Sequence, residues 1–200
     1  MPTATIVNQL KADNKPYWVI GNTDLLNLPL LGLFCSVRCP GDAILQTYDL
    51  VRALRDAGVP IIGGFHSPME RECLDYLLRG TQPMVICPAR GIQNMRIPAA
   101  WRQPLQEGRL LIVSPFPVTH RRPTAKLAEQ RNQFVAALAS AVFVAYAEAE
   151  GNTERLCTAL LRQGKPVYTH ALASSQSLVD RGVHSGGIDF LVQQCVSDFG

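Results

Sequence analysis

The texture of the apolar runs constrains this chain more than any other feature of its sequence. Residues 17–20, 30–35, 59–63, 83–87, 109–114, 141–146 and 166–169 are apolar nearly throughout, with little polar alternation. A strand covered by helices on both faces reads this way, whereas a strand with one wet face alternates. Helix-period segments separate the runs. Strands alternating with helices require parallel crossovers, so the expected fold is α/β with an open, doubly wound, mostly parallel sheet.

The helices carry start and stop signals. Asp42 is read as the cap of a helix with Ile44, Leu45, Tyr48, Val51 and Leu54 on its apolar face, ended by Gly58. Ser67-Pro68-Met69-Glu70 is a capping box with proline in the first helical position, and its helix runs through Leu74 and Leu78 to Gly80. Thr124 caps a helix through Leu127, Phe134 and Leu138, and Gly151 or Asn152 opens another that Gly164 ends. A short helix near Trp101 is kept brief by Pro104. Farther on, Gly186-Gly187-Ile188-Asp189 reads as a loop entering a short amphipathic helix.

A chain of 200 residues favours one domain with short extensions. At 47% hydrophobic and 18% charged residues it has the balance of a soluble globule and not of a disordered chain. Cys35 and Cys39 form the closest pair of six cysteines, and no second close pair completes a zinc site. Cys73, Cys87 and Cys157 lie in apolar stretches and read as small buried hydrophobes, which fits a reduced, cytoplasmic setting. The N-terminal segment has no apolar signal core, and the longest apolar-looking run, 134–147, is shorter than the roughly 18 residues that suggest a membrane span. The net charge is +3, yet residues 90–131 hold eight Lys/Arg against Glu107 and Glu129. That stretch is +6 and the remainder −3, a distribution that points to an anionic partner, or else to a solvated basic face.

Ligands of doubly wound sheets bind beyond the carboxyl ends of the strands. The candidate site residues are therefore those that follow each run. Ser36 and Arg38 lie in a turn before a helix N-terminus, where N–H groups and the helix dipole favour an anion. Gly63 and Gly64 permit close approach, and His66 follows them; Glu70 has its explanation in the capping box. Arg90 is a further phosphate candidate, and Arg121, Arg122 and Lys126 continue the basic stretch. Arg131-Asn132 is a backbone-and-base pair for nucleic acid or an ordinary helix-surface pair. Gly151, Asn152 and Thr153 open a helix, but Glu148 and Glu150 before them disfavour phosphate. The sequence contains no HExxH, GxSxG, Walker A or GxGxxG, so no enzyme activity and no cofactor are expected.

Taken in order, these segments resemble the DprA/Smf (DNA-processing protein A) family. Tyr17-Trp18-Val19-Ile20-Gly21-Asn22, with Leu30-Leu31-Gly32-Leu33-Phe34-Cys35-Ser36-Val37-Arg38, looks like the family's opening strands and Gly-Ser-Arg loop. Gly63-Gly64-Phe65-His66-Ser67-Pro68-Met69-Glu70 falls where the family has Ser-Gly-x-Ala-x-Gly-Ile-Asp, Arg131-Asn132-Gln133 on its Arg-Asn-Arg, and Gly151-Asn152-Thr153 near its Ser-Gly-Ser loop. The resemblance covers about residues 17–170. It implies an extended Rossmann-like domain there, an N-terminal extension over 1–16 and a C-terminal extension of short helices over 171–200. It also implies a homodimer that binds single-stranded DNA in a basic pocket, with Arg38, Gly64, Arg131 and Asn132 as pocket residues. Cys35, His66-Ser67-Pro68 and Gln133 depart from the family pattern, and the residues outside the domain leave no room for a helical or winged-helix module. The closest likeness is to short forms carrying Gly-Phe-His-Ser-Pro-Met-Glu and Cys-Pro-Ala-Arg-Gly, of the kind found in anti-phage and toxin–antitoxin loci. The expected function is single-stranded DNA binding in DNA processing or anti-phage defence. An antitoxin or regulatory subunit that restrains a phosphoribosyltransferase-like partner is the alternative. A LOG-type nucleotide hydrolase ranks last, because Glu150-Gly151-Asn152-Thr153-Glu154 lacks that family's Pro-Gly-Gly.

Overall fold

The computed structural model describes residues 5–7 and 16–197. Each apolar run of the sequence forms a strand in it. The chain builds β1 (Thr5–Val7), β2 (Tyr17–Gly21), a 3-10 turn (Thr23–Asn27), β3 (Leu31–Cys35), α1 (Gly41–Asp56), β4 (Ile61–Gly63), α2 (Pro68–Leu78), β5 (Met84–Ile86) and α3 (Ala99–Gln106). There follow β6 (Leu110–Ser114), α4 (Ala125–Leu138), β7 (Ala141–Tyr146), α5 (Asn152–Arg162), β8 (Val167–His170), a second 3-10 turn (Ala173–Ser175), α6 (Gln176–Val179), β9 (His184–Gly186) and α7 (Ile188–Ser197). Among the described residues the sheet has nine strands in the order β1-β2-β6-β5-β4-β3-β7-β8-β9. The two pairings made by β2, with β1 and with β6, are antiparallel, and the other six are parallel.

The scarcity of alternation has its cause in two buried faces. Leu31, Leu33 and Cys35 of β3 enter one core cluster with residues of α1, α2 and α7, while Leu30 and Phe34 enter another with residues of α4 and α5. β7 divides in the same way, with Ala141, Phe143 and Ala145 to one side and Val142 and Val144 to the other. This is the doubly wound arrangement expected from the runs. From β3 the chain moves outward through β4, β5 and β6 on one side, then returns to place β7, β8 and β9 on the other, so the order reverses between β3 and β7.

Two details of α1 differ from the sequence reading. Its N-cap is Pro40 and not Asp42, which sits in the first turn and accepts from the Ala43 N–H at 2.9 Å. Its buried positions are Ala43, Thr47, Leu50, Val51 and Leu54, whereas Leu45 is 67% exposed. The helix packs against both α2 and α7, so its buried stripe is rotated from the most apolar one and takes in Thr47. β1 and β9 formed no recognisable apolar runs, because each is a three-residue edge segment. Most of the N-terminal extension, 1–4 and 8–15, and the last three residues lie outside the described residues.

Thr47 is buried because it has a partner at the end of β8. Its hydroxyl donates to the Ala43 carbonyl at 2.6 Å and lies 2.9 Å from His170 Nε2, so Nε2 is the protonated ring nitrogen. Nδ1 is buried and has no hydrogen-bond partner among the described residues, and Phe143 meets the ring edge-on at 4.9 Å between centroids. Burial pushes the imidazole pKa down to about 4, with Asp42 opposing weakly. An unfolded histidine titrates near 6.5, so acid protonates the unfolded chain first. Stability should be flat above about pH 7 and fall by about 3 kcal/mol as the pH drops from roughly 6.5 to 4. Urea midpoints measured across that window test this, and a His170→Gln variant should lack that part of the slope.

Candidate nucleic-acid interface

β4 and β5 pair in parallel and end side by side, and the residues that follow them, Gly64 and Cys87, meet a side chain from α4. From its second turn α4 delivers Arg131, whose side chain is only 4% exposed. Nη1 donates to the Cys87 carbonyl at 3.1 Å, and Nε donates to Asn132 Oδ1 at 2.7 Å. The guanidinium rests on Gly64, where a Cβ would stand 1.5 Å from Nη1 and 1.9 Å from Cζ. Glycine at 64 is thus the seat of the arginine. Among the described residues no carboxylate forms an ion pair with Arg131. A buried guanidinium without a counter-charge is costly, and an arriving anion offsets that cost.

The guanidinium borders a cavity of about 290 Å³. Arg71, Arg90 and His66 also line it, Phe65, Met95 and Trp101 give apolar and aromatic walls, and among the described residues none that lines it is acidic. The loops that shape it are pinned by hydrogen bonds. Ser114 Oγ donates to the Arg90 carbonyl at 2.7 Å, and the Gly91 N–H donates to the His120 carbonyl at 2.9 Å, which fixes the 88–91 loop beside the end of β6. Phe65 adopts a left-handed φ of +47°, uncommon outside glycine, and its buried ring lies against Gly63.

Glu70 is the cross-brace. Its N–H donates to Ser67 Oγ at 3.2 Å and its Oε2 accepts from the Ser67 N–H at 3.1 Å, which completes the capping box. Oε2 also accepts from the His66 N–H at 2.8 Å, and Oε1 accepts from the Cys35 N–H at 2.9 Å. One carboxylate therefore ties the loop after β4 to the end of β3.

Of the residues picked out in the sequence, Gly64, His66, Arg90 and Arg131 come together in the one cavity, with Asn132 holding Arg131 from behind. Arg121, Arg122 and Lys126 are exposed on the approach to α4 and in its first turn, next to Pro123, which lines the cavity. Gly63 is buried in β4. The β3–β7 reversal is occupied differently. Ser36 is buried, its Oγ accepts from the Glu148 N–H at 3.0 Å, and Arg38 is exposed in the turn that follows. Gly151 caps α5, Thr153 is buried, and Asn152 lines a separate groove of about 390 Å³ between α4 and α5 with Asn132 and Arg155. Sequence reasoning missed Arg71 and Met95. Arg71 had a signal: side chains early in a helix lean back toward its N-terminus, which here is the cavity.

Among the described residues no group of His, Cys, Asp and Glu is placed to hold a metal ion, and no helix is long and apolar enough to cross a membrane. Cys73, Cys87 and Cys157 are fully buried, and burial pushes the Cys87 and Cys157 thiols up to about 12.

The family model of DNA recombination-mediator protein A matches residues 4–185. No curated protein matches the sequence. DNA processing protein A of Helicobacter pylori, a protein with a single-stranded DNA binding mode, superposes with a TM-score of 0.80 at 16% identity, covering 98% of this chain and 97% of that one. DNA processing protein A of Streptococcus pneumoniae gives 0.74 at 17% identity, covering 92% of this chain and 66% of that one. The molybdenum cofactor carrier protein of Chlamydomonas reinhardtii shares the fold more distantly, with a TM-score of 0.57 at 12% identity over 84% of this chain and 99% of that one.

Proposed function

Because this chain belongs to the DNA recombination-mediator protein A family, we propose that it binds single-stranded DNA during DNA processing, with strand phosphates received at Arg131. The observation that carries this reading is the buried guanidinium seated on Gly64 without a counter-ion, in a cavity whose lining holds further arginines and no acid. Phosphate supplies the missing charge and accepts from more than one guanidinium N–H. Trp101, partly exposed in the lining, offers aromatic surface to bases, a contact that tolerates any sequence. The function is one of binding, with no bond made or broken. The homodimer implied by the family resemblance is part of this proposal, and light scattering tests it.

Titration of a fluorescent single-stranded oligonucleotide at two salt concentrations tests the binding. If three arginines meet phosphates, log affinity should fall by about 2 per decade of salt, from roughly 0.7 per contact. Gly64→Ala should weaken binding at least about tenfold, because the methyl group evicts the guanidinium. The atoms it meets are the tip of a flexible side chain, so the fold should survive with a loss of about 1 kcal/mol. Absence of binding at low salt would replace this reading with one in which the cavity receives a partner protein.

A further inference from the structure

A second groove, of about 660 Å³, adjoins the Arg131 cavity through Met95, which lines both. α3 and the segment before it form the partition. Trp101 faces the first space, and Arg102 and Leu105 face the second. Gly21, at the end of β2, floors the groove; a Cβ there would stand 2.5 Å from the Leu110 carbonyl oxygen, so the floor carries no side chain. Ile97 and Leu105 supply apolar walls, and Arg96 and Arg102 are exposed. Among the described residues no carboxylate lines the groove, and neither arginine forms an ion pair.

We propose that this groove continues the single-strand track, so that one strand runs from Arg131 past Met95 into the groove beside α3. This rests on the reading of the first cavity given above. Charge and continuity select the occupant. An apolar trough rimmed by two unpaired arginines suits a chain of bases with an anionic backbone, and the shared Met95 joins it to a cavity of the same composition. Arg96 and Arg102 take phosphates, and bases lie against Met95, Ile97 and Leu105.

The test compares oligonucleotides of about 4 and about 16 nucleotides, the range of site sizes seen in single-strand channels. It uses the whole protein and an Arg96→Gln/Arg102→Gln variant, whose exposed positions leave the fold intact. The longer strand should bind wild type more tightly than the shorter. The variant should lose about tenfold on the longer strand, with its salt slope reduced by about 1.4, and should bind the shorter strand as wild type does. Equal losses on both lengths, or no loss on the longer, would overturn the proposal, as would a change of oligomeric state in the variant, which would make the groove a contact between copies. Failure of wild type to bind either length would instead remove the first reading, and this one with it.

Discussion

Arg131→Met is expected to reduce affinity for a single-stranded oligonucleotide by about a hundredfold, near 2.7 kcal/mol, while leaving the thermal midpoint within a few degrees of wild type. On the proposed function the two effects separate, because the arginine then serves a ligand and not the fold. Charge-assisted contacts to phosphate are worth about 1.5–3 kcal/mol each, and the planar fork can make two. Within the protein the guanidinium makes hydrogen bonds to Cys87 and Asn132 but has no opposite charge among the described residues. Removing an uncompensated buried charge and filling its volume with an apolar side chain is often neutral or stabilising, which offsets the hydrogen bond lost to the Cys87 carbonyl. Arg131→Lys should not restore affinity, since an ammonium cannot reproduce the fork over Gly64. Anisotropy titrations alongside thermal melts decide the matter. A midpoint lowered by ten degrees would make Arg131 a strut of the core, and undiminished affinity would move the anion site elsewhere.

The candidate site, at the ends of β4 and β5, does not lie where the topology alone would put it. Open α/β sheets favour ligands at the reversal of strand order, here between β3 and β7. That crevice is bridged by Ser36 and Glu148, and the loop after β7 exposes Glu148 and Glu150. Glu154, by contrast buried, accepts from the Glu150 N–H at 2.9 Å and pairs with Arg181 at 3.2 Å. Acidic side chains thus dominate the reversal, while the cationic cavity forms at the ends of β4 and β5.

The sheet was legible in the sequence because burial on both faces leaves runs that no one-sided strand would show. Gly64 and Arg131 were legible only as separate signals, a glycine pair after a strand and an arginine on a helix. Their contact spans 67 residues of chain, and nothing local in either segment encodes it. Leu45 shows the reverse failure. Periodicity places it on the apolar face of α1, but packing against two neighbouring helices turned the face and buried Thr47. Tertiary contact decides which of two adjacent stripes is covered, and hydrophobicity alone does not.

Glu70→Ala should produce the largest loss of stability, on the order of 4 kcal/mol, seen as a fall of about ten degrees in thermal midpoint. The side chain is 5% exposed, and its two oxygens satisfy three backbone N–H donors, those of Cys35, His66 and Ser67. Alanine leaves all three without their acceptor. Cys35 N is deeply placed, so water cannot readily replace the carboxylate there. Glu70→Gln should cost about 3 kcal/mol, because its amide can serve only one side of the brace and turns N–H against N–H on the other. Ser67→Ala removes a single cap acceptor and should cost only about 1 kcal/mol. If both substitutions at 70 matched Ser67→Ala, Glu70 would be an ordinary capping residue and the tie to β3 would carry no energy. The larger loss would show that the capping box recognised in the sequence is also the clamp between two loops. In that case oligonucleotide affinity should fall with stability, since Gly64 and His66 would no longer be held over the end of β4.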